Sequence, residues 1–318
     1  KRVEGIWKIV VENQLTREVE EHQAKVLINA AGPWVADIIN TKLQLNSKDN
    51  IRLVRGSHIV IPKLYDHDKC YFLQGTDGRI IFSIPYEYDF TLIGTTDADH
   101  DGIETQPTCS DAERDYLVNF ASQYFAKEIS PKDVVWSYSG IRPLYDDRTE
   151  NATAATRDYV LKLEHSTGSA PLLNIFGGKI TTYRKLAEAA IAEISIFFPQ
   201  LNAPWTANSS LPGGDFAVED VAKLIEKLRA DFSFLTEIRA KRLIRAYGLN
   251  AWELLKGCSK LEDLGEQFGE ILTQREIEYL RENEFAVEVD DIIWRRTKLG
   301  LRMSDQEKKR LSEYLKTS

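Results

Sequence analysis

The chain of 318 residues has the length of about two domains, and its composition is that of an ordinary folded protein. Hydrophobic residues make up 43% of it and charged residues 28%, which excludes extended disorder. The net charge of -8 has the wrong sign for bulk attraction to nucleic acid, so we expect no nucleic-acid partner. The 3 cysteines include no Cys-x-x-Cys pair, so we expect no disulfide framework, no metal site and a reducing compartment.

The first 203 residues predict a mixed α/β region. A continuous apolar run over residues 25–31 is typical of a strand buried on both faces, and Gly32 and Pro33 then begin a helix. Alternating polarity predicts antiparallel strands further along, with a tight Asp77-Gly78 turn between two of them. These strands are expected over residues 52–61, 69–74, 78–84 and 90–95.

Two helices and three more strands are predicted after these. Ser110 and Glu113 have the spacing of a capping box, which predicts that a helix begins there. A second helix is expected from about Thr181, after strands over residues 134–141, 159–163 and 172–176. The predicted inner faces are Leu117, Phe120, Ala121 and Tyr124 in the first helix and Leu186, Ala190, Ile191 and Ile194 in the second.

Residues 204–215 are rich in turn formers and predict a linker, and residues 216–318 predict a helical domain. The helix signals of that domain are of three kinds. They are the apolar stripe Val218, Val221, Leu224, Ile225 and Leu228, the capping-box pairs Thr273 with Glu276 and Ser304 with Glu307, and the C-cap glycines Gly248, Gly257 and Gly300.

Two turns join a strand to a helix through small residues, over residues 29–34 and 177–182. Backbone N–H groups at a helix N-terminus favour an anion or an electron-rich ring oxygen, and glycines let a ligand approach the backbone closely. Lys179 adds a full positive charge to the second turn. The alternative is an ordinary strand-to-helix turn with Thr181 as its N-cap, and short glycine motifs do not decide between the two.

Two polar residues lie within predicted strands. His58 could act as a general base, because imidazole is available in its neutral form near pH 7, or it could be a core histidine. Arg142 could grip a phosphate or carboxylate, or it could form a surface salt bridge. The polar loop over residues 94–99 could line a pocket or form a simple turn. The histidines expected in exposed segments are His22, His67, His100 and His165.

Taken together, these segments resemble the FAD-dependent, aerobic-type glycerol-3-phosphate dehydrogenases, the quinone-linked branch of the D-amino-acid-oxidase-like flavoprotein superfamily. The order and spacing of the segments agree along essentially the whole chain. The segments that carry the resemblance are INAAGPWVADI (28–38), RLVRGSHIVIP (52–62), DGRIIFSIPYE (77–87), LIGTTDADHDG (92–102), YSGIRPL (138–144), NIFGGKITTYRKLAE (174–188) and DDIIWRRTKLGL (290–301).

The resemblance implies a mixed α/β (α+β) fold. It consists of an incomplete FAD-binding Rossmann-like domain with an antiparallel-sheet substrate domain, followed by a C-terminal all-helical domain. The family binds the ADP part of FAD with a Gly-x-Gly-x-x-Gly turn, and this sequence contains no such pattern. The chain also begins with Lys1 inside a predicted sheet, without a leader pattern. We therefore expect the C-terminal two-thirds of such a protein, inactive as a fragment.

The resemblance also implies roles for single residues. His58, Arg142 and Lys179 are the implied catalytic residues, and Arg142 and Lys179 also bind the substrate. The implied cofactor is FAD, and the residues expected to contact it are Gly32, Trp34, Gly178, Lys179, Ile180 and Thr181.

The implied reaction is the oxidation of sn-glycerol 3-phosphate to dihydroxyacetone phosphate, with hydride passing from C2 to flavin N5 and electrons then passing to a quinone. The implied location is cytoplasmic, with the enzyme bound peripherally to the inner face of the cytoplasmic membrane, and a homodimer is left open. Two alternatives remain. One is a sibling oxidase that uses oxygen on glycerol 3-phosphate or on an amine, and the other is a truncated fragment that holds no flavin.

Overall fold

The computed structural model describes residues 1–45, 47–76, 78–146 and 158–317, which divide into two compact units, Lys1–Ala207 and Asn208–Ser318. Asp77, the first residue of the predicted Asp77-Gly78 turn, lies outside the described residues. The strands are β1 (Arg2–Val3), β2 (Ile6–Glu12), β3 (Val19–Ala24), β4 (Leu27–Asn29), β5 (Ile51–Pro62), β6 (Tyr71–Gln74), β7 (Ile80–Tyr86), β8 (Phe90–Gly94), β9 (Ala98–Asp99), β10 (Trp136–Tyr145), β11 (Val160–Glu164), β12 (Leu172–Phe176), β13 (Gln267–Phe268) and β14 (Leu272–Thr273).

The helices confirm the predicted mixture of a sheet-rich first part and a helical second part. Within the described ranges, no helix is long and apolar enough to cross a membrane. The helices are α1 (Val35–Asp37), α2 (Asp111–Ser122), α3 (Tyr183–Ile194), α4 (Val221–Asp231), α5 (Glu237–Tyr247), α6 (Asn250–Leu254), α7 (Gln274–Asn283) and α8 (Asp305–Thr317).

The central sheet of the first unit has the strand order β10-β5-β8-β7-β6, and each neighbouring pair is antiparallel. Its longest ladder joins β5 to β10, with His58 opposite Tyr138 and Arg142 opposite Val54. Residues that lie opposite each other in neighbouring strands share a face, and so do residues two or four apart along one strand. His58 and Arg142 therefore lie on the same face of this sheet.

The other face of the central sheet packs against α2. Ile59 of β5 and Leu117 of α2 belong to one fully buried apolar cluster. The predicted capping box is confirmed, because Ser110 Oγ accepts a hydrogen bond from the Glu113 N–H while the Glu113 carboxylate accepts one from the Ser110 N–H. The prediction that Tyr124 lies on the inner face is wrong: α2 has already ended, and Tyr124 is 47% exposed.

A second sheet, with the order β11-β12-β4, contains the parallel pair β12 and β4, while β1, β2 and β3 form a separate antiparallel sheet. Asn174 of β12 lies opposite Asn29 of β4. Each of these two strands leads into a 3-10 turn, Gly32–Trp34 after β4 and Ile180–Thr182 after β12, and then into α1 or α3. The two turns therefore leave the same edge of the sheet.

The inner face of α3 is narrower than its sequence suggests. Ala190 and Ile194 are 5% exposed each, whereas Ile191 is 47% exposed. Successive residues of a helix are rotated by about 100°, which turns Ile191 away from the stripe that Ala190 and Ile194 form at four-residue spacing. The prediction that Ile191 lies on the inner face is therefore wrong.

The described part of the second unit is helical apart from the short antiparallel pair β13 and β14. The capping box of Ser304 and Glu307 at the start of α8 is confirmed, with Ser304 N donating to Glu307 Oε2 at 2.8 Å. Gly248 lies at the C-cap of α5 as predicted. Two predictions are wrong, since Gly300 lies inside the 3-10 turn Leu299–Leu301 and Val218 is 81% exposed.

The predicted capping box of Thr273 and Glu276 does not form, because Glu276 has other partners. Thr273 makes no side-chain cap bond, and Glu276 is only 1% exposed. Arg242 donates to its two carboxylate oxygens at 2.7 and 2.5 Å, and the Tyr247 hydroxyl donates at 2.6 Å. Burial, and then the charge of Glu276, raise the pKa of Tyr247 well above its usual value. This buried carboxylate joins α5 to α7.

We expect Glu276→Gln to lower the free energy of unfolding by about 3–5 kcal/mol, because it leaves the Arg242 charge uncompensated in a buried site. Urea unfolding followed by circular dichroism measures this change. Glu282→Gln on the exposed side of the same helix is the matched control and should change stability by no more than about 0.5 kcal/mol. Equal effects of the two variants would contradict the assignment.

The predicted linker at residues 204–215 is attached at two points. The Thr206 hydroxyl donates to Glu188 Oε1 at 2.6 Å, and the Leu249 N–H donates to the Gly213 carbonyl at 2.9 Å. Between these attachments, residues 207–212 are exposed. The boundaries 1–203, 204–215 and 216–318 remain predictions.

Limited proteolysis tests these boundaries. We expect subtilisin to cut first within residues 207–212, because an exposed segment between two attached points can adapt to a protease. Mass spectrometry of the products should show a compact C-terminal fragment that contains α4 to α8 intact. First cuts inside α4 would contradict the boundary.

Candidate active site

One face of the central sheet carries His58 and Arg142, and two glycines leave room for them. A Cβ built on Gly56 would lie 2.5 Å from both terminal nitrogens of Arg142, and one built on Gly94 would overlap the imidazole of His58. Gly56 follows Val54, the partner of Arg142, by two residues, and Gly94 lies opposite His58 in β8. The side chain of Arg142 therefore lies across β5, and the side chain of His58 lies across β8.

His58 is held as a neutral imidazole. Its ring stacks on that of Tyr138, with ring centroids 5.0 Å apart and planes 5° apart. Burial, and then the nearby charge of Arg142, lower the pKa of His58 to about 4. The buried Nδ1 has no hydrogen-bond partner among the described residues. At neutral pH this ring therefore carries no charge and can accept a proton.

Arg142 is held by the polar loop at residues 94–99, whose role the sequence left undecided. Its Nη1 donates to Asp97 Oδ1 at 2.6 Å and to the Thr96 carbonyl at 3.5 Å, while Nη2 donates to Thr95 Oγ1 at 3.1 Å. The salt bridge that was one of its two predicted roles is therefore present. A guanidinium carries five N–H donors, so these three bonds leave capacity for a further anion.

The two strand-to-helix turns lie beside each other. Asn29 Nδ2 donates to Asn174 Oδ1 at 3.0 Å, which joins the last residue of β4 to the middle of the parallel strand β12. Gly32 follows β4 with φ of +55°, and Gly177 and Gly178 follow β12 with φ of +70° and +99°, a backbone region that favours glycine. Open sheets of this kind bind ligands at the carboxyl ends of their parallel strands.

The second turn also meets the strand of Arg142. A Cβ built on Gly177 would lie 3.7 Å from the carbonyl oxygen of Pro143, the residue after Arg142. Lys179 is exposed, and within the described residues it forms no ion pair or hydrogen bond with His58 or Arg142. The structure thus brings Arg142, His58 and the glycine turns into one region. Lys179 lies at the second turn and has no described contact with His58 or Arg142. The roles of all these residues remain predictions.

The sequence selected the loop over residues 94–99 as a possible pocket lining, but it did not indicate the partners of single residues in this region. Asp97, Thr96 and Tyr138 owe their place to strand pairing between distant segments. Gly56 and Gly94 did give a signal, because a glycine inside a strand often marks a close approach of another group. His100, expected to be exposed, is 9% exposed, and its Nε2 lies 3.0 Å from the Thr105 carbonyl, so that prediction is wrong.

Two known family models match this chain. The family model described as FAD dependent oxidoreductase matches residues 1–184. The chain belongs to the FAD-dependent oxidoreductase family. A second family model, described as the C-terminal domain of alpha-glycerophosphate oxidase, matches residues 204–317 of this oxidoreductase chain.

Curated relatives match along nearly the whole chain. It is 42% identical over 317 residues to the glycerol-3-phosphate dehydrogenase of Pseudomonas aeruginosa, and the match covers 100% of this chain and 62% of the relative. It is 39% identical over 314 residues to the D-erythritol 1-phosphate dehydrogenase of Brucella abortus, covering 99% of this chain and 62% of the relative. The chain therefore spans about three fifths of the length of these relatives.

A solved structure shares the fold. The glycerol-3-phosphate dehydrogenase from Bacillus halodurans, complexed with FAD, superposes with a TM-score of 0.74 at 25% identity. The superposition covers 98% of this chain and 65% of that one. The predicted fold class is confirmed by this neighbour and by the two family matches.

The glycine turns fit FAD, the cofactor of this family. Ile180 is 89% exposed and Trp34 is 50% exposed, and both lie beside glycine backbone. An isoalloxazine ring has apolar faces and an edge rich in hydrogen-bond acceptors. Exposed apolar side chains beside the N–H groups of a first helical turn match both properties.

The glycine beside His58 can be tested on this chain. We expect Gly94→Ala to lower the free energy of unfolding by about 1–3 kcal/mol, because the new methyl group overlaps the imidazole. In a His58→Ala background the same change should cost much less. Urea unfolding of the four proteins gives the coupling.

The matched control is Gly140→Ala in β10. A Cβ built there meets nothing within 4 Å among the described residues, so this variant should keep its stability within about 0.5 kcal/mol. Independent, additive costs of Gly94→Ala and His58→Ala would show that the two residues do not touch.

Proposed function

We propose that the enzyme containing this chain oxidises sn-glycerol 3-phosphate to dihydroxyacetone phosphate with FAD as its cofactor. The observation that carries the proposal is the placement of a neutral His58 and a cationic Arg142 on one sheet face, beside a pair of turns that fit a flavin. Oxidation of a secondary alcohol that carries a phosphate needs a proton acceptor, an anion site and a hydride acceptor in one place. The names of the relatives support the same substrate class.

His58 is the proposed base for the C2 hydroxyl proton. Its ring is neutral at pH 7, so an acceptor nitrogen is available without a prior deprotonation. A pKa of about 4 makes a weak base, but part of that depression comes from the charge of Arg142. A phosphate dianion beside Arg142 offsets this charge and raises the basicity of His58 when the substrate is bound.

Arg142 and Lys179 are the proposed anion site. Arg142 retains free donor capacity beside its bonds to Asp97 and Thr95, and a guanidinium pairs well with phosphate. Lys179 lies at the start of the turn before α3 as an exposed point charge. The chemistry that bound FAD would supply is a hydride acceptor for C2. The residues that would hold it are Gly32, Trp34, Gly178, Lys179, Ile180 and Thr181.

The final electron acceptor in this proposal is a quinone. The enzyme meets it as a peripheral protein at the inner face of the cytoplasmic membrane. A homodimer is compatible with this proposal. Resemblance to the quinone-linked branch supports this choice over oxygen. Turnover of the holoenzyme with a water-soluble quinone analogue in anaerobic buffer tests it. Turnover with oxygen alone, at the same rate, would favour the oxidase alternative.

A second candidate substrate is D-erythritol 1-phosphate. The relative named D-erythritol 1-phosphate dehydrogenase is 39% identical to this chain, and the relative named glycerol-3-phosphate dehydrogenase is 42% identical. Both names specify a polyol phosphate. Comparison of kcat/KM for the two phosphates in the holoenzyme ranks them, and glycine or sarcosine serves as the amine control.

Arg142→Ala and His58→Ala should fail in different ways in the holoenzyme. Arg142 is assigned to the anion, so its loss should weaken substrate binding by about 1.5–3 kcal/mol. His58 is assigned to proton removal, so its loss should slow flavin reduction by about 10²–10⁴-fold at saturating substrate. Stopped-flow measurement of flavin reduction across substrate concentrations separates affinity from chemistry.

His165→Ala is a control in the same unit, because His165 is exposed and packs its ring against Phe197. It should leave both the binding constant and the limiting rate unchanged. A His58→Ala enzyme that reduces its flavin at the normal limiting rate would show that another group is the base.

A further inference from the structure

A buried carboxylate lies behind the sheet face that carries Arg142. Glu113 of α2 is 9% exposed and accepts hydrogen bonds from Ser57 Oγ and Thr96 Oγ1, both at 2.8 Å. Its second oxygen accepts from Arg55 Nη2 at 2.8 Å and from Ser110. The helix cap needs only the contacts with Ser110, so capping explains half of this arrangement.

Glu113 remains ionised throughout the working pH range. Burial alone would raise the pKa of this carboxyl, but hydrogen bonds from Ser110, Thr96 and Ser57 outweigh burial and lower it to about 2. A carboxylate that only accepts hydrogen bonds orients every hydroxyl around it. The Thr96 hydroxyl must therefore donate to Glu113, which leaves its oxygen to accept from the Ser57 N–H at 2.9 Å.

Thr96 is the link between this carboxylate and Arg142. It is 3% exposed, and its backbone N–H also donates to the Ser57 carbonyl at 3.3 Å. Its two chain neighbours, Thr95 and Asp97, supply the side chains that hold the Arg142 guanidinium. The Thr96 hydroxyl therefore points to α2, whereas the side chains of Thr95 and Asp97 contact Arg142 on the other face of the sheet.

We propose that Glu113 is a positioning residue for Arg142, acting through Thr96 and the loop that presents Asp97 and Thr95. The geometric part of this inference stands on the described contacts alone. Its consequence for substrate binding rests on the proposed function, in which Arg142 holds the phosphate. Loss of the Glu113–Thr96 bond therefore frees the loop and displaces the guanidinium from its place over Gly56.

The first test reads the position of Arg142 without any enzymatic activity. Among the described residues, Arg142 is the charged group that lowers the pKa of His58, so displacement of the guanidinium raises that pKa. Histidine titration of this chain by NMR, with ¹⁵N-labelled histidine, follows the shift. Thr96→Val and Glu113→Gln should each move the His58 pKa upward, towards the value measured in Arg142→Ala.

Two controls separate positioning from general stability. Thr96→Ser keeps the hydroxyl and should titrate like the unmodified chain. Ser110→Ala removes the helix cap but leaves the Thr96 bond, so it should lower the melting temperature without moving the His58 pKa. A His58 pKa that rises in Arg142→Ala, yet stays at its original value in folded Thr96→Val and Glu113→Gln, would overturn the inference.

The second test uses the holoenzyme and glycerol 3-phosphate. Misplacement of a substrate-binding group by about 1 Å can cost up to about 100-fold, so Thr96→Val should raise KM by about 10- to 100-fold and change kcat much less. In an Arg142→Ala background, Thr96→Val should have no further effect on KM. Additive effects would contradict the inference.

If Arg142→Ala itself leaves KM unchanged, the proposed substrate role of Arg142 fails. The histidine titration then still decides the positioning inference, so the two failures are distinguishable.

Discussion

The geometry of the candidate site depends on close packing of side chains over glycine backbone in the central sheet. Arg142 reaches across β5 where Gly56 lacks a side chain, and His58 reaches across β8 where Gly94 lacks one. The side-chain period of a strand is two, so a shift of one residue in the pairing of β5 would move His58 to the face covered by α2. Strand register and these two glycines together fix which groups can meet. The protein thus places a cationic and a neutral basic group side by side on two paired strands, and the loop at residues 94–99 holds the cation.

The two faces of this sheet differ in chemistry, and one residue connects them. On the α2 side, Ile59 and Leu117 exclude water, and Glu113 is the charged group buried among them with Arg55 as its partner. Because a buried carboxylate is costly unless every acceptor site is used, its neighbours must hold fixed positions. That requirement makes the inner face a rigid support for Thr96 and hence for the loop on the outer face.

The sequence was informative where a pattern is local and poor where a partner is distant. Alternation predicted β5, and the capping spacing predicted the start of α2, because both signals lie within one element. Arg142 could be chosen as a candidate cation, but its bond to Asp97 spans 45 positions and arises because β10 and β9 both pair with β5.

A local pattern can also be overridden by tertiary contacts. Glu276 has the spacing of a helix cap, yet its carboxylate accepts hydrogen bonds from Arg242 and Tyr247 of another helix. A buried charge is stabilised more by a guanidinium than by a backbone N–H. Glu113 shows the opposite outcome. It serves as a cap and also binds a distant loop, because its two oxygens have enough acceptor sites for both tasks.

The pairing of Arg142 with Asp97 explains why this position suits arginine better than lysine. In the proposed function this residue holds Asp97 and also presents positive charge to a second anion, the phosphate of the substrate. A guanidinium spreads five donors around a planar fork, so one edge can bind the carboxylate while another remains directed elsewhere. The single nitrogen of a lysine would place both anions around one point and force them together. Asp97 thus orients the cation, and in the proposed function a phosphate dianion then offsets the charge of Arg142, which raises the pKa of His58 and makes that ring a better base.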